Sequence, residues 1–175
     1  ERESRDPVRP LSLEREISVA LPEGPVFAGT FDKIELLHDG DVRVVDYKTG
    51  RPDDHVKKIR RCTDLTVYEC DDYYRQVIAY KMIFDRNQKG PDRRRVRKAL
   101  IQFLKPAGVT TKIDDLEKGE YRNIDMEVTG EMVADLERVI RDSWSQINDM
   151  RFEKLPERDG KGRCRHCDFD SICWG

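Results

Sequence analysis

The sequence predicts an α/β (α+β) domain, a mixed central sheet flanked by helices. Three observations carry that prediction. Two apolar-rich arms meet at the turn residues Asp39-Gly40, two later stretches place apolar residues at helical spacing, and two further strand-like runs lie between those stretches. The order strand, hairpin, helix, strands, long helix fits neither an all-helical nor an all-β domain.

Taken in order, residues 11–20 mix apolar and charged positions and are expected to form the first strand. Pro22 and Pro25 bracket a turn. Residues 26–37 read as a second strand, with Phe27, Ile34 and Leu36 among its apolar positions. His38-Asp39-Gly40-Asp41 is a tight hairpin signal, and residues 42–48 are the returning strand. Thr49-Gly50-Arg51-Pro52 ends it. Residues 53–71 show no clear period and are assigned no element. Residues 72–85 predict a helix, with Val77, Ile78, Met82 and Ile83 at helical spacings. Gly90-Pro91-Asp92 breaks the chain. Residues 95–104 and 121–128 are strand candidates. Thr129 is placed to cap a long helix over 130–150, with Met132, Leu136, Val139, Ile140 and Ile147 on one side.

A length of 175 residues suits one domain, so 1–175 is expected to be a single domain ending in a Cys-containing tail at 156–175. Hydrophobic residues make up 37% and charged residues 39%, yet the apolar residues come in periodic runs, which excludes disorder. The 33 basic residues against 35 acidic ones give a net charge of −2, which excludes a generally basic coat; an anionic partner must be met by local patches. No apolar run approaches ~18 residues, so no membrane-spanning helix is expected. The chain begins at Glu1 without an initiator Met and without an apolar leader, and is expected to be a fragment of a longer protein. Five cysteines without a secretion signal point to thiols or metal ligands rather than disulfides, in a reducing, cytoplasmic setting.

The chemistry concentrates at Asp46-Tyr47-Lys48. Residues two apart on a strand share a face, so Asp46 and Lys48 project together, about 6.6 Å apart along the strand. Asp32 and Asp46 each stand seven residues from Asp39, on opposite arms of the hairpin. A symmetric register without a bulge makes them neighbours. Two adjacent carboxylates repel unless something neutralises them, and a hard divalent cation does so. Both carboxylates and the backbone carbonyl of Tyr47 are oxygen donors suited to Mg²⁺. Lys48 then stands where it can orient an attacking water and balance charge at a phosphate.

Gly29-Thr30-Phe31-Asp32 followed by Val44-Val45-Asp46-Tyr47-Lys48-Thr49-Gly50 resembles the G-x-x-D and hhDYKTG signature of RecB-like nucleases, a branch of the PD-(D/E)XK superfamily. Gln76-Val77-Ile78-Ala79-Tyr80 resembles the same branch's Q-x-x-x-Y motif. The resemblance implies a restriction-endonuclease-like core and Mg²⁺ or Mn²⁺ held by Asp32 and Asp46. It implies that Lys48 is the catalytic lysine, with Gln76 and Tyr80 on one helix face contacting DNA or the lysine. It also implies cleavage of DNA, more by an exonuclease than an endonuclease mode, in repair or recombination beside a helicase motor. The branch has a histidine in an N-terminal helix at its metal site. Here the histidines are His38, His55 and His166, none of them before the hairpin, and Glu14 or Glu16 is the nearest stand-in.

Cys164-x-x-Cys167 and Cys173 resemble the cysteine tail with which many RecB-like nucleases hold a [4Fe–4S] cluster, together with a fourth cysteine far upstream. No cysteine precedes Cys62 here. Zinc with His166, or three free thiols, are the other readings of this tail. Lys57, Lys58, Arg60 and Arg61 form a basic patch suited to DNA phosphates; Arg93, Arg94, Arg95, Arg97 and Lys98 form another. A nuclease-derived binding module that no longer cuts, and an iron–sulfur structural protein, are the rival functional readings.

Overall fold

A computed structural model describes residues 9–22, 24–62, 65, 70–106, 121–151, 153–160 and 162–175, apart from the side chains of 53, 54, 60 and 61. The chain divides into two compact units, Glu1–Arg141 and Asp142–Gly175.

The first unit is built on five strands, β1 (Arg9–Ala20), β2 (Val26–Leu36), β3 (Val42–Lys48), β4 (Val96–Phe103) and β5 (Asn123–Glu127), hydrogen-bonded in that order. β3 and β4 run parallel and every other neighbouring pair is antiparallel. Parallel neighbours need a long crossover. It contains α1 (Pro52–Arg61) and α2 (Asp72–Asn87); α3 (Gly130–Asn148) follows β5, and α4 (Asp170–Trp174) lies in the second unit. The expected mixed sheet with flanking helices is therefore the architecture found.

Local chemistry sets these elements. Gly40 takes φ +88° in the β2–β3 turn, which costs glycine little, and Leu37 N–H closes the hairpin on the Asp41 carbonyl at 2.8 Å. Asp71 caps α2 by accepting the Tyr73 N–H at 2.9 Å. Thr129 Oγ1 accepts the Met132 N–H at 3.3 Å, as the sequence predicts. The inward face of the sheet buries Val42 and Val44 of β3 and Ala99, Ile101 and Phe103 of β4 against Val77, Ile78, Met82, Ile83 and Phe84 of α2. Truncating a fully buried side chain such as Ile78 to alanine costs about 2–5 kcal/mol.

Three features depart from the sequence reading. Helix α1 occupies 52–61, a stretch to which no element was assigned. Val56 and Ile59 are its buried apolar residues amid six charged ones, so its period was masked. Pro52 at the first helical position was the available signal. Second, Cys62 and Cys70 are joined in a disulfide, correcting the expectation of thiols or metal ligands at all five cysteines. Their Cα atoms lie 4.8 Å apart, within disulfide reach. Cysteine content therefore no longer points to a reducing compartment. Third, the β1–β2 ladder is irregular, with a register shift between Pro10 and Ser12 and a break at Glu14. Between the pairs Leu13↔Lys33 and Arg15↔Phe31, Glu14 and Asp32 face each other without pairing, and Glu14 adopts φ +45°. Phe31 and Ile34, three residues apart, both enter the same core, which unbroken alternation forbids.

Among the described residues, no helix is long and apolar enough to cross a membrane.

Candidate active site

The end of the β2–β3 ladder places the acidic pair. β2 pairs with β3 from Leu36↔Val42 only as far as Lys33↔Val45, while β3 continues beside β4 to Lys48↔Phe103. Asp32 and Asp46 are the next positions in that register, where the strands part. The hairpin is symmetric about Asp39 over the paired residues. Tyr47 N–H donates to Asp32 Oδ2 at 2.7 Å, bridging the two strands beyond the last ladder pair.

Asp46 and Lys48 continue the inward row of Val42 and Val44. Asp46 is 3% exposed. Lys48 Nζ lies 2.7 Å from Asp46 Oδ2, an ion pair by distance, but Oδ2 has no hydrogen-bond partner of acceptable angle and is buried. Burial pushes the Asp46 carboxyl above the usual carboxylate range. The Lys48 ammonium opposes that shift, and the charge of Asp32 adds to it.

Helix α2 supplies the other wall. Gln76 Oε1 accepts from Lys48 Nζ at 2.6 Å, and Gln76 Nε2 donates to the Tyr80 hydroxyl at 2.8 Å. That hydroxyl has one hydrogen for two acceptors, the Thr30 carbonyl at 3.1 Å and Asp46 Oδ1 at 3.3 Å. Burial, then the Asp46 charge, raises the pKa of Tyr80 well beyond that of an ordinary phenol, so it remains a neutral donor. The Tyr80 ring lies 4.6 Å from that of Phe31, and a Cβ at Gly29 would come within 3.3 Å of it. Gly29 is thus the close approach that lets β2 lie against α2.

The structure therefore brings Asp32, Asp46, Lys48, Gln76 and Tyr80 into one network. Gln76 contacts Lys48, one of the two roles the sequence left open. Tyr47 lies between Asp46 and Lys48 and is 38% exposed. Lys57 and Lys58 are exposed on α1; the side chains of Arg60 and Arg61 lie outside the described residues. The second basic cluster is at the hairpin-turn end of β4, where Arg97 pairs with Asp41 at 2.8 Å, four residues and about 13 Å along the strand from Ile101, the partner of Asp46.

Glu14 stands opposite Asp32 but is exposed, and among the described residues no three His, Cys, Asp or Glu side chains gather as a metal site. The same holds for the tail. Cys164 is buried, Cys167 exposed and Cys173 partly buried, and neither an iron–sulfur nor a zinc ligand set with His166 is assembled. The sequence reading missed Thr30, whose backbone carbonyl no pattern reveals, and Tyr73, whose ring centroid lies 4.3 Å from Lys48 Nζ. Tyr73, Gln76 and Tyr80 share a helix face at spacings of three and four, and that period was legible.

Two carboxylates and a lysine where strands part, backed by a Gln–Tyr helix face, define a site built around a strand-borne D…D-x-K arrangement. A family profile described as the PD-(D/E)XK nuclease superfamily matches residues 1–174, and the chain belongs to that superfamily. No curated protein matches the chain. Among solved structures, that described as the crystal structure of SSO0001 is similar over 93% of this chain and 59% of its own length, at 15% identity and a TM-score of 0.46. The chain thus spans less than two thirds of that protein.

Members of this superfamily typically use divalent metals, and the residues here fit one. Asp46 offers a buried oxygen with no hydrogen-bond partner, Asp32 stands beside it, and the donors are hard oxygens.

Proposed function

We propose that this chain is a metal-dependent deoxyribonuclease of the RecB-like branch, a single nuclease domain of a larger cytoplasmic repair or recombination protein that includes a helicase motor. The observation that supports it best is the buried Asp46 oxygen, which among the described residues accepts no hydrogen bond and stands at ion-pair distance from the Lys48 ammonium, with the Asp32 charge nearby. Its branch, exonuclease mode and motor rest on the resemblance of the G-x-x-D, DYKTG and Q-x-x-x-Y motifs. A [4Fe–4S] cluster on Cys164, Cys167 and Cys173 in the longer protein rests on resemblance alone.

Asp32, Asp46 and the Tyr47 carbonyl would hold Mg²⁺ or Mn²⁺. Such a cation supplies Lewis-acid polarisation of the phosphoryl oxygens and a lower pKa for the attacking water. The chain does the rest. Gln76 fixes Lys48 Nζ beside Asp46, and an ammonium has three hydrogens. With Gln76 accepting one N–H and Asp46 an ion-pair neighbour, Lys48 keeps N–H donors for a non-bridging phosphate oxygen or for the attacking water. Tyr80 holds Gln76 and the Asp46 carboxylate in register. Lys57 and Lys58 meet the flanking phosphates without reading bases.

A binding module that grips DNA without cutting is the second reading, favoured by the lack of a third gathered acidic or histidine ligand among the described residues. Incubating the chain with 5′- and 3′-labelled single- and double-stranded DNA and Mg²⁺ or Mn²⁺, beside Asp46→Ala, decides between them. Metal-dependent cutting lost in the variant supports the enzyme and gives its polarity. DNA binding with no cutting supports the module.

A further inference from the structure

Among the described residues, Lys48 Nζ has three neighbours. Asp46 Oδ2 lies at 2.7 Å and Gln76 Oε1 at 2.6 Å, and both belong to the motifs already described. The third is the ring of Tyr73, whose centroid is 4.3 Å from the nitrogen, a distance at which a ring quadrupole attracts an ammonium. Lysine is a point charge on a flexible stem, so a third contact is what fixes its direction.

Tyr73 is itself held with unusual care for a half-buried side chain. The imidazole of His55 stacks on it, with centroids 4.2 Å apart and planes at 23°. His55 Nδ1 lies 2.8 Å from Asp71 Oδ2, and Asp71 Oδ1 accepts the Tyr73 N–H at 2.9 Å. One carboxylate therefore clamps both halves of the stack, the backbone of one ring and the nitrogen of the other. Asp71 is 4% exposed and both its oxygens are engaged, so it has little freedom to move. Phe103 borders both rings, at 6.1 Å from His55 and 6.3 Å from Tyr73. With Asp71 accepting, the proton of a neutral His55 resides on Nδ1.

We propose that Tyr73, with His55 and Asp71 behind it, is a positioning residue for Lys48. The stacked pair sets the direction of the ammonium between Asp46 and Gln76, and so its aim at the scissile phosphate. The inference rests on the nuclease reading above. A ring serving only as core filler would, when removed, lower stability without lowering kcat at fixed KM.

The test compares the whole chain with Tyr73→Phe, Tyr73→Leu, His55→Ala and Asp71→Asn. Asparagine caps a helix about as well as aspartate but presents an amide to the imidazole, so Asp71→Asn separates clamp from cap. In metal-free protein, the Lys48 ε-methylene ¹H–¹³C resonance, assigned with Lys48→Arg, is expected to show an upfield ring-current shift. That shift persists in Tyr73→Phe, vanishes in Tyr73→Leu and shrinks in His55→Ala and Asp71→Asn. In cleavage of labelled DNA with Mn²⁺, Tyr73→Leu and His55→Ala lower kcat about tenfold or more with KM within about threefold, while Tyr73→Phe stays near wild type. An unmoved Lys48 resonance in Tyr73→Leu, a kcat in Tyr73→Phe as low as in Tyr73→Leu, or a change in KM alone overturns the proposal. If Tyr73→Leu fails to fold, the His55 and Asp71 variants decide it by the same resonance. If wild type cuts no DNA, the nuclease reading fails, while the resonance in His55→Ala and Asp71→Asn, which keep the Tyr73 ring, still reports whether the stack and its clamp fix the ring against Lys48.

Discussion

The backbone N–H of Tyr47 donates to the carboxylate of Asp32 at 2.7 Å, beyond the point where the ladder between their strands has ended. Asp32 thereby bridges the parting strands while its other oxygen remains for the site. Asp32→Asn keeps an acceptor and loses the charge. Its melting temperature in metal-free buffer is expected to stay within about 2–4 °C of wild type, the equivalent of 1 kcal/mol in a chain of this size. Stabilisation by Mg²⁺ and DNA cleavage are both expected to disappear. Asp32→Ala also strands the Tyr47 N–H and is expected to cost about 1–3 kcal/mol, read by urea denaturation.

Asp46 is a cost to the metal-free fold. Burial raises its pKa above that of the unfolded carboxylate, so between those two values the native state holds more protons than the unfolded one. Stability from this group is therefore lost as pH rises from the ordinary carboxylate range through the folded pKa. Asp46→Asn is expected to melt higher than wild type at neutral pH without divalent metal. The gap should narrow as pH falls. Adding Mn²⁺ should reverse the order by stabilising wild type alone. Thermal melts with and without metal, from acid to neutral pH, check all three.

Removing the Tyr80 hydroxyl leaves Gln76 Nε2 without its acceptor and loosens the group that holds Lys48. Tyr80→Phe is expected to cost about 1 kcal/mol of stability and to lower kcat roughly tenfold with little change in KM. Because Tyr80 stays neutral, the shape of the pH–rate profile should not change. Gly29→Val should act in the same direction by pushing on the Tyr80 ring.

Lys57 and Lys58 are exposed on α1 and free of any role in the core. Replacing both with alanine is expected to reduce the slope of log K against log[salt] for double-stranded DNA by up to about 1.8, at about 0.9 per lost phosphate contact. The drop should be the same for unrelated sequences. Fluorescence anisotropy across a salt series measures it.

The Cys62–Cys70 disulfide closes a short loop between α1 and α2, next to the Asp71 cap. Reduction is expected to lower stability by about 2–3 kcal/mol on the chain-entropy account. Denaturation with and without reductant, beside Cys62→Ser/Cys70→Ser, provides the measurement. The double variant should be insensitive to reductant.

The sequence by itself determined the order of elements, the symmetric hairpin and the inward row that ends in Asp46 and Lys48. Each follows from a local rule: the period of two along a strand, the period of 3.6 along a helix, and the turn preference of Asp39-Gly40. It also placed Gln76 and Tyr80 on one face of α2. Helix α1 escaped because six charged residues hid two buried apolar ones. The cysteine pair escaped because its closure depends on where the end of α1 and the start of α2 meet in space. Only the tertiary structure decided that the β1–β2 ladder breaks at Glu14 and Asp32, that Thr30 offers its carbonyl to Tyr80, and that Asp71 clamps His55 against the ring beside Lys48. Those relations join residues far apart in the chain, through backbone atoms or through packing between separate elements, and no spacing in a sequence encodes where such surfaces meet.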